Sequence, residues 1–116
     1  MAEVASLDLP GASGCVRVDC VPGTRFVVDV ERGAVLRLRG GWTPRAPLDG
    51  HWWLGSVLVD DVTGALTVRV GARARWHLAP DLFIITGPIV RITMGRSPAL
   101  SGLLAPSVRW PSPVPV

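Results

Sequence analysis

The sequence predicts an all-β protein, a single small sandwich or barrel of about seven strands with extended N- and C-terminal arms. Apolar and polar residues alternate in several short runs, which is the period of a half-buried strand. The turns between these runs contain many of the 13 glycines and 11 prolines. Nothing along the chain requires a helix longer than about two turns.

The length and composition predict one domain with an arm at each end. A chain of 116 residues with 48% apolar positions can bury a core without help from a metal or a disulfide. Residues 1–13 are small, apolar and interrupted by glycine and proline, so we expect an arm there. Residues 14–96 form the β domain. Residues 97–116 are expected to be a proline-rich extended arm, because alternate prolines prevent a helix or an interior strand.

The first half of the β domain shows the clearest alternation. Residues 15–20 predict a strand whose two cysteines, Cys15 and Cys20, are free thiols on opposite faces. Residues 25–30 and 34–39 predict a hairpin closed by the connection at 31–33. The side chains that we expect to face the core are Val16, Val18 and Cys20, followed by Phe26, Val28, Val30, Ala34, Leu36 and Leu38.

The second half predicts longer strands. Residues 40–50 form a loop that contains Trp42, and residues 51–59 predict one strand that is apolar on both faces. Residues 66–78 keep one alternation, which predicts one long strand or two collinear strands with a bend at Gly71. A helix at 71–77 stays open as an alternative. Residues 81–86 and 89–94 predict a final pair of strands around Gly87 and Pro88.

The composition excludes several kinds of chemistry. The sequence has no Lys, Tyr, Asn or Gln, and all 12 basic residues are Arg. A lysine Schiff base, a P-loop lysine, a tyrosine acid and amide recognition of adenine are therefore excluded. The candidate hydrolase groups, among them Ser56, Thr67 and His77, stand in no recognisable catalytic pattern, and the Cys and His spacing matches no zinc site. We expect a non-enzymatic protein without a cofactor.

The apolar residues do not predict a membrane span. The longest uncharged stretches are far shorter than the ~18–20 residues that cross a bilayer, and the first residues lack the basic start of a secretory signal. We therefore expect synthesis in the cytoplasm and no contact with a membrane. The excess apolar content instead predicts surface that is buried against partner subunits.

The predicted function is assembly with neighbouring subunits. Trp and Arg are the residues most enriched at the energetic centres of interfaces, and the chain has 5 and 12 of them. We expect residues of the arms, the loop and the strand at 51–59 to dock in grooves of adjacent copies or of a larger shell protein. The predicted partner-binding residues are Leu7, Leu9, Trp42, Trp52, Leu103, Leu104, Val108 and Trp110.

The alternative is a small β-barrel that binds single-stranded nucleic acid. Arginines on two predicted strands could form a cationic face beside tryptophans that stack with bases, and the same face could instead bind an acidic partner. The residues of this face are Arg37, Arg39, Arg69, Arg73 and Arg75.

Three segments, VDVERGAVLRL (28–38), VTGALTV (62–68) and IVRITMG (89–95), give an order of strands and turns that resembles small β-sandwich proteins of tailed-phage particles. The resemblance covers about residues 25–95. It implies a structural virion subunit made in the host cytoplasm, such as a capsid decoration or cement protein or a minor tail protein. It also implies arms that reach onto neighbouring subunits.

Overall fold

The computed structural model describes residues 2–40 and 49–95, together with the backbone of residues 107–109. The described residues are all-β, as predicted, but they form twelve short strands instead of about seven. The strands are β1 (Ala2–Val4), β2 (Ser6–Asp8), β3 (Cys15–Cys20), β4 (Arg25–Asp29), β5 (Ala34–Leu38), β6 (Trp52–Leu54), β7 (Val57–Asp60), β8 (Thr67–Arg69), β9 (Ala74–Ala79), β10 (Leu82–Ile85), β11 (Ile89–Gly95) and β12 (Ser107–Arg109).

The strands form a sandwich-like arrangement of one large and two small sheets. The large sheet has the order β1-β11-β3-β4-β5-β6-β12. A three-stranded sheet has the order β10-β9-β7, and β2 pairs with β8. The pairing of β12 with β6 is parallel, and the other pairs of described strands are antiparallel.

The main core lies between the large sheet and the two smaller ones. Val16, Val18 and Phe26 from the large sheet pack with Leu58 and Trp76 from the three-stranded sheet. The Trp76 side chain is completely buried, and its ring meets the Phe26 ring edge-on at a centroid distance of 5.5 Å. Burial of these aromatic side chains holds the layers together.

A second apolar cluster lies on the other face of the large sheet. It contains Cys15, Val27, Ala34, Leu36 and Trp52. The large sheet is therefore buried on both faces along β5, where Val35 packs in the main core instead. The predicted hairpin of β4 and β5 is confirmed, but the prediction that Ala34 and Leu36 share the core face of Phe26 is wrong.

The N-terminal segment is part of the β domain and not the separate arm that the sequence predicts. β1 pairs with β11, and β2 pairs with β8, so the segment bridges two sheets of its own chain. A short 3-10 turn, Leu9–Gly11, follows, and Leu9 is buried in the main core. Strands of three residues give too short a pattern to be recognised, because their formation depends on partners far along the chain.

Residues 51–59 do not form one strand. β6 belongs to the large sheet and β7 to the three-stranded sheet, and the chain changes sheets at Gly55 and Ser56. Gly55 has a φ of 81°, which a side chain disfavours. The apolar residues of this run are divided between the two strands: Trp52 of β6 packs in the second cluster, whereas Trp53 of β6 and Leu58 of β7 pack in the main core.

The later strand predictions are correct in type and wrong in pairing. Residues 66–78 contain β8 and the first part of β9, which lie in different sheets, and residues 74–79 are strand and not helix. β10 and β11 do not pair with each other. β10 pairs with β9, whereas β11 pairs with β3 and β1.

The turn after β7 is built on a buried carboxylate. Asp60 is 2% exposed and accepts hydrogen bonds from the backbone N–H groups of Val62 and Thr63, at 2.8 and 3.0 Å. Its other oxygen lies 2.8 Å from the Arg69 guanidinium. The hydrogen bond from Thr63, with those from Arg69 and Val62, lowers the pKa of Asp60 despite its burial.

Candidate interaction surface

β10 is a sheet edge with an apolar and uncharged sequence, Leu-Phe-Ile-Ile. It is the outermost strand of the three-stranded sheet, and no strand of the described residues pairs with its outer side. Leu82, Phe83 and Ile85 are 58%, 40% and 50% exposed. Proteins commonly protect a free edge with charges, proline, a bulge or a covering segment, because the unpaired backbone can recruit another strand. The pairing of β10 with β9 shifts register once, between Leu82 and Phe83, but Leu82–Ile85 contains no charge or proline and the pairing is regular from Phe83 to Ile85.

The pairing with β9 determines which backbone groups of β10 point outward. The N–H of Thr86 donates to the carbonyl oxygen of Ala74, and Ile84 lies opposite Trp76 in the same register. Hydrogen-bonded positions alternate along an antiparallel pair, so the backbone groups of Ile84 point toward β9. Those of Phe83 and Ile85 point away from β9, toward a neighbour that would extend the sheet.

The side chains of β10 are also divided between two faces. Ile84 packs against the main core, which fixes the orientation of the strand. Phe83 and Ile85 lie on the opposite face, which we call the outer face. In the cross-strand rows of the sheet, Phe83 is opposite His77 and Ile85 is opposite Arg75.

Contacts within the outer face hold Phe83 in place. Its ring lies 4.9 Å from the His77 ring, and the Arg75 guanidinium lies 5.3 Å from the ring centroid. Arg75 also pairs with Asp61 at 3.6 Å. An aromatic side chain already held on the surface loses little conformational freedom when a partner covers it.

A shallow groove of about 350 Å³ adjoins this face. It is lined by both strands β7 and β9 and by the turns beside them, and Val57 on its wall is 38% exposed. The groove therefore adds apolar area to the outer face on the β7 side of Arg75 and His77.

The exit from β10 is fixed by a close backbone approach. A Cβ atom at Gly87 would lie 1.8 Å from the carbonyl oxygen of Val21, so no side chain fits there. The N–H of Val21 donates to the carbonyl oxygen of Pro88 at 2.9 Å. Both contacts tie the end of β10 to the large sheet, so the edge strand is anchored at that end.

The predicted partner-binding residues are scattered by the structure. Leu9 and Trp52 are 7% and 6% exposed within their own chain, so the expectation that they dock on a neighbour is wrong. Leu7 is half-buried against the main core. Val108 belongs to β12, of which the backbone pairing with β6 is described. The remaining four predicted residues, Trp42, Leu103, Leu104 and Trp110, lie outside the described residues.

The predicted cationic face is largely neutralised. Arg37 is buried and pairs with Asp49, which contradicts its place on an exposed face. Arg69 and Arg75 pair with Asp60 and Asp61.

The other two arginines of that face have no carboxylate partner among the described residues. Arg73 donates to the carbonyl oxygen of Thr86 at 3.4 Å, and Arg39 is exposed. The described ranges contain nine arginines and all nine carboxylates, so their formal charge balances, and the net charge of +3 of the whole chain comes from the other three arginines.

The cysteines lie as the alternation predicted. Both are buried and free, with Cys20 in the main core and Cys15 in the second cluster. Desolvation by burial raises the pKa of Cys15 to about 12 and the pKa of Cys20 to about 11. At neutral pH both are protonated, and a protonated buried thiol is a poor nucleophile.

The hydroxyls considered as nucleophiles are engaged in structural hydrogen bonds. Ser56 donates to the carbonyl oxygen of Trp53 and Thr67 donates to Asp8, each at 2.7 Å. Within residues 2–40 and 49–95 there is no group of three or more His, Cys, Asp or Glu side chains placed to hold a metal ion.

None of the helical structure in the described part of the chain is long or apolar enough to cross a membrane.

Sequence reasoning missed β10 as the main exposed apolar feature. The available signal was the absence of charge between Asp81 and Arg91, which spans a whole strand and its connection. The sequence pattern instead predicts a pair of strands around Gly87 and Pro88, in which each strand would hydrogen-bond to the edge of the other. In the structure β10 pairs with β9 instead, and no strand in the described part of the chain pairs with its other side.

Comparison of the chain with protein-family models, with curated proteins and with solved structures gave no significant match.

Proposed function

We propose that this protein is a non-enzymatic structural subunit that assembles with neighbouring proteins by adding a strand at β10. The observation that carries the proposal is the exposed, uncharged edge strand, whose Phe83 and Ile85 direct both backbone groups and apolar side chains toward solvent. Strand addition at an open edge uses main-chain hydrogen bonds for affinity and side-chain pockets for specificity.

The setting that we propose is a tailed-phage particle, as a capsid decoration or cement protein or a minor tail protein. This setting rests on the resemblance of the segments 28–38, 62–68 and 89–95 to small β-sandwich proteins of tailed-phage particles, and the sandwich-like all-β fold is compatible with it. The protein would then be made in the host cytoplasm and incorporated into the virion. Its partners would be further copies of itself or a larger shell protein.

The docking surface in this proposal differs from the partner-binding residues that the sequence predicts in the two arms. The N-terminal segment contributes β1 and β2 to its own domain, so it is not available as a free arm. The edge β10 and the exposed part of the outer face take over the proposed role. Burial of a fully exposed large apolar side chain contributes about 1.5–3 kcal/mol, and Leu82, Phe83 and Ile85 are partly covered already, so each contributes less than that to the contact. The main-chain hydrogen bonds of the added strand contribute the rest of the affinity.

Co-sedimentation with phage particles tests this function. An epitope-tagged chain expressed in infected cells is expected to band with the particles in a density gradient, and Ile85→Lys is expected to lose that association. Val62→Lys is the matched control, because Val62 is 85% exposed on the turn after β7 and lies outside β10. The proposal fails if the wild-type chain stays at the top of the gradient while particles form normally.

A further inference from the structure

The open edge of β10 has a geometry that suits a second copy of itself. Its outward backbone groups belong to Phe83 and Ile85, which are separated by one residue. In an antiparallel pair related by a two-fold axis, two residues with outward groups must face each other as a hydrogen-bonded pair. Phe83 of one copy can therefore face Ile85 of the other, with Ile84 facing its own counterpart on the axis.

This register also gives the best side-chain match. Phe83 would lie beside Ile85 of the second copy on the outer face, which forms two aromatic and β-branched cross-strand pairs. A shift by two residues in one direction places Asp81 opposite Ile85, and a shift in the other direction places Gly87 opposite Phe83. Both shifts replace apolar contact with a charge or with an empty position.

The absence of charge on β10 also favours a second copy of β10 as its partner. Residues 82–86 carry no ionisable side chain, so two copies of β10 approach without like-charge repulsion. Arg75, the nearest cation on the outer face, is paired with Asp61 and lies one strand further from the axis.

We propose that two copies of this chain pair antiparallel through β10, with Phe83 opposite Ile85 and with Ile84 on the two-fold axis. The two three-stranded sheets then join into one six-stranded sheet, and the free edges disappear from the centre of the dimer. The inference rests on the proposed function and names the partner at its edge as the same chain.

Disulfide cross-linking tests both the partner and the register. In the proposed dimer the Ile84 Cα atoms are about 4.5 Å apart, a spacing that a disulfide can bridge. The two Phe83 Cα atoms are roughly 8 Å apart, as are those of Ile85, because each is displaced along the strand from its own counterpart. Ile84→Cys is therefore expected to form a covalent dimer of twice the 12.3 kDa chain mass under mild oxidation.

If solvent exposure alone decided how fast the cysteine variants cross-link, Ile84→Cys would be the slowest of the three. Ile84 is less exposed than its two neighbours, so random collision would cross-link Phe83→Cys and Ile85→Cys first. We expect neither of those variants to cross-link alone, and we expect a mixture of the two to do so. The mixture keeps the test valid if Ile84→Cys fails to fold. The native cysteines are buried and protonated, so they do not compete.

The possible outcomes separate the two proposals. The inference is overturned if Phe83→Cys or Ile85→Cys alone cross-links as fast as Ile84→Cys, or if neither Ile84→Cys nor the mixture gives a dimer. If cross-linking fails while the tagged chain still bands with particles and Ile85→Lys does not, the edge binds a different protein. If both experiments fail, the proposed function is also wrong.

Discussion

Replacing Trp76 with alanine is expected to lower the free energy of unfolding by about 3–5 kcal/mol, the usual cost of removing a large aromatic side chain from a core. Trp76 is completely buried at the centre of β9 and packs edge-on against Phe26 across the two layers. Its removal leaves a cavity between the large sheet and the three-stranded sheet, which the surrounding strands cannot fill. Chemical denaturation followed by circular dichroism measures the change.

Trp76→Phe is the matched control for this prediction. The indole Nε1 is buried without a hydrogen-bond partner among the described residues, so phenylalanine removes an unpaired donor and keeps a six-membered aromatic ring in the core. We expect this variant to lose much less stability than Trp76→Ala. A Trp76→Ala protein whose stability lies within about 1 kcal/mol of the wild type would contradict the central packing role of β9.

Asp60→Ala is expected to cost about 2–4 kcal/mol, because it leaves two backbone donors and the Arg69 guanidinium without their acceptor. The neighbouring carboxylate is the control. Asp61 is part-exposed and lies 3.6 Å from the Arg75 guanidinium, so Asp61→Ala should cost less than about 1 kcal/mol. Equal losses in the two variants would show that the buried turn does not depend on Asp60.

The same carboxylate predicts how stability depends on pH. The pKa of Asp60 is lowered in the folded protein, so its contribution is fully present above the ordinary pKa of about 3.9. That contribution is lost as the pH falls through the lowered folded value. Asp60→Asn keeps an oxygen acceptor but cannot ionise, so its stability should decline less over this acid range. An acid decline as steep as that of the wild type would contradict the role assigned to the charge.

The sequence was sufficient for local structure where one face of a strand is buried. The alternation of residues 15–20 predicted β3 and the opposite positions of its two cysteines, and Gly33 marked the β4 and β5 hairpin. Alternation failed at β5, because both of its faces are buried and either set of side chains could belong to the main core. A pattern of period two cannot distinguish two covered faces.

The pairing of strands that are far apart in the chain could not be predicted from the sequence. The sequence does not show that the chain changes sheets at Gly55, or that three-residue strands near the N-terminus pair with β8 and β11. The candidate site depends on the same information. β10 was recognised as a strand, but its free edge follows from its place outside β9, and that place is set by contacts between distant segments.

Sedimentation equilibrium of the purified chain tests most directly whether β10 is the surface of association. We expect the wild-type chain and Val62→Lys to approach twice the mass of 12.3 kDa as concentration rises. We expect Ile85→Lys to remain a folded monomer, because the substitution removes the apolar cross-strand pair with Phe83 of the second copy and places on the edge a charge of the kind that blocks edge pairing. A wild-type chain that stays monomeric at every concentration, or an Ile85→Lys variant that associates like the wild type, would contradict the account.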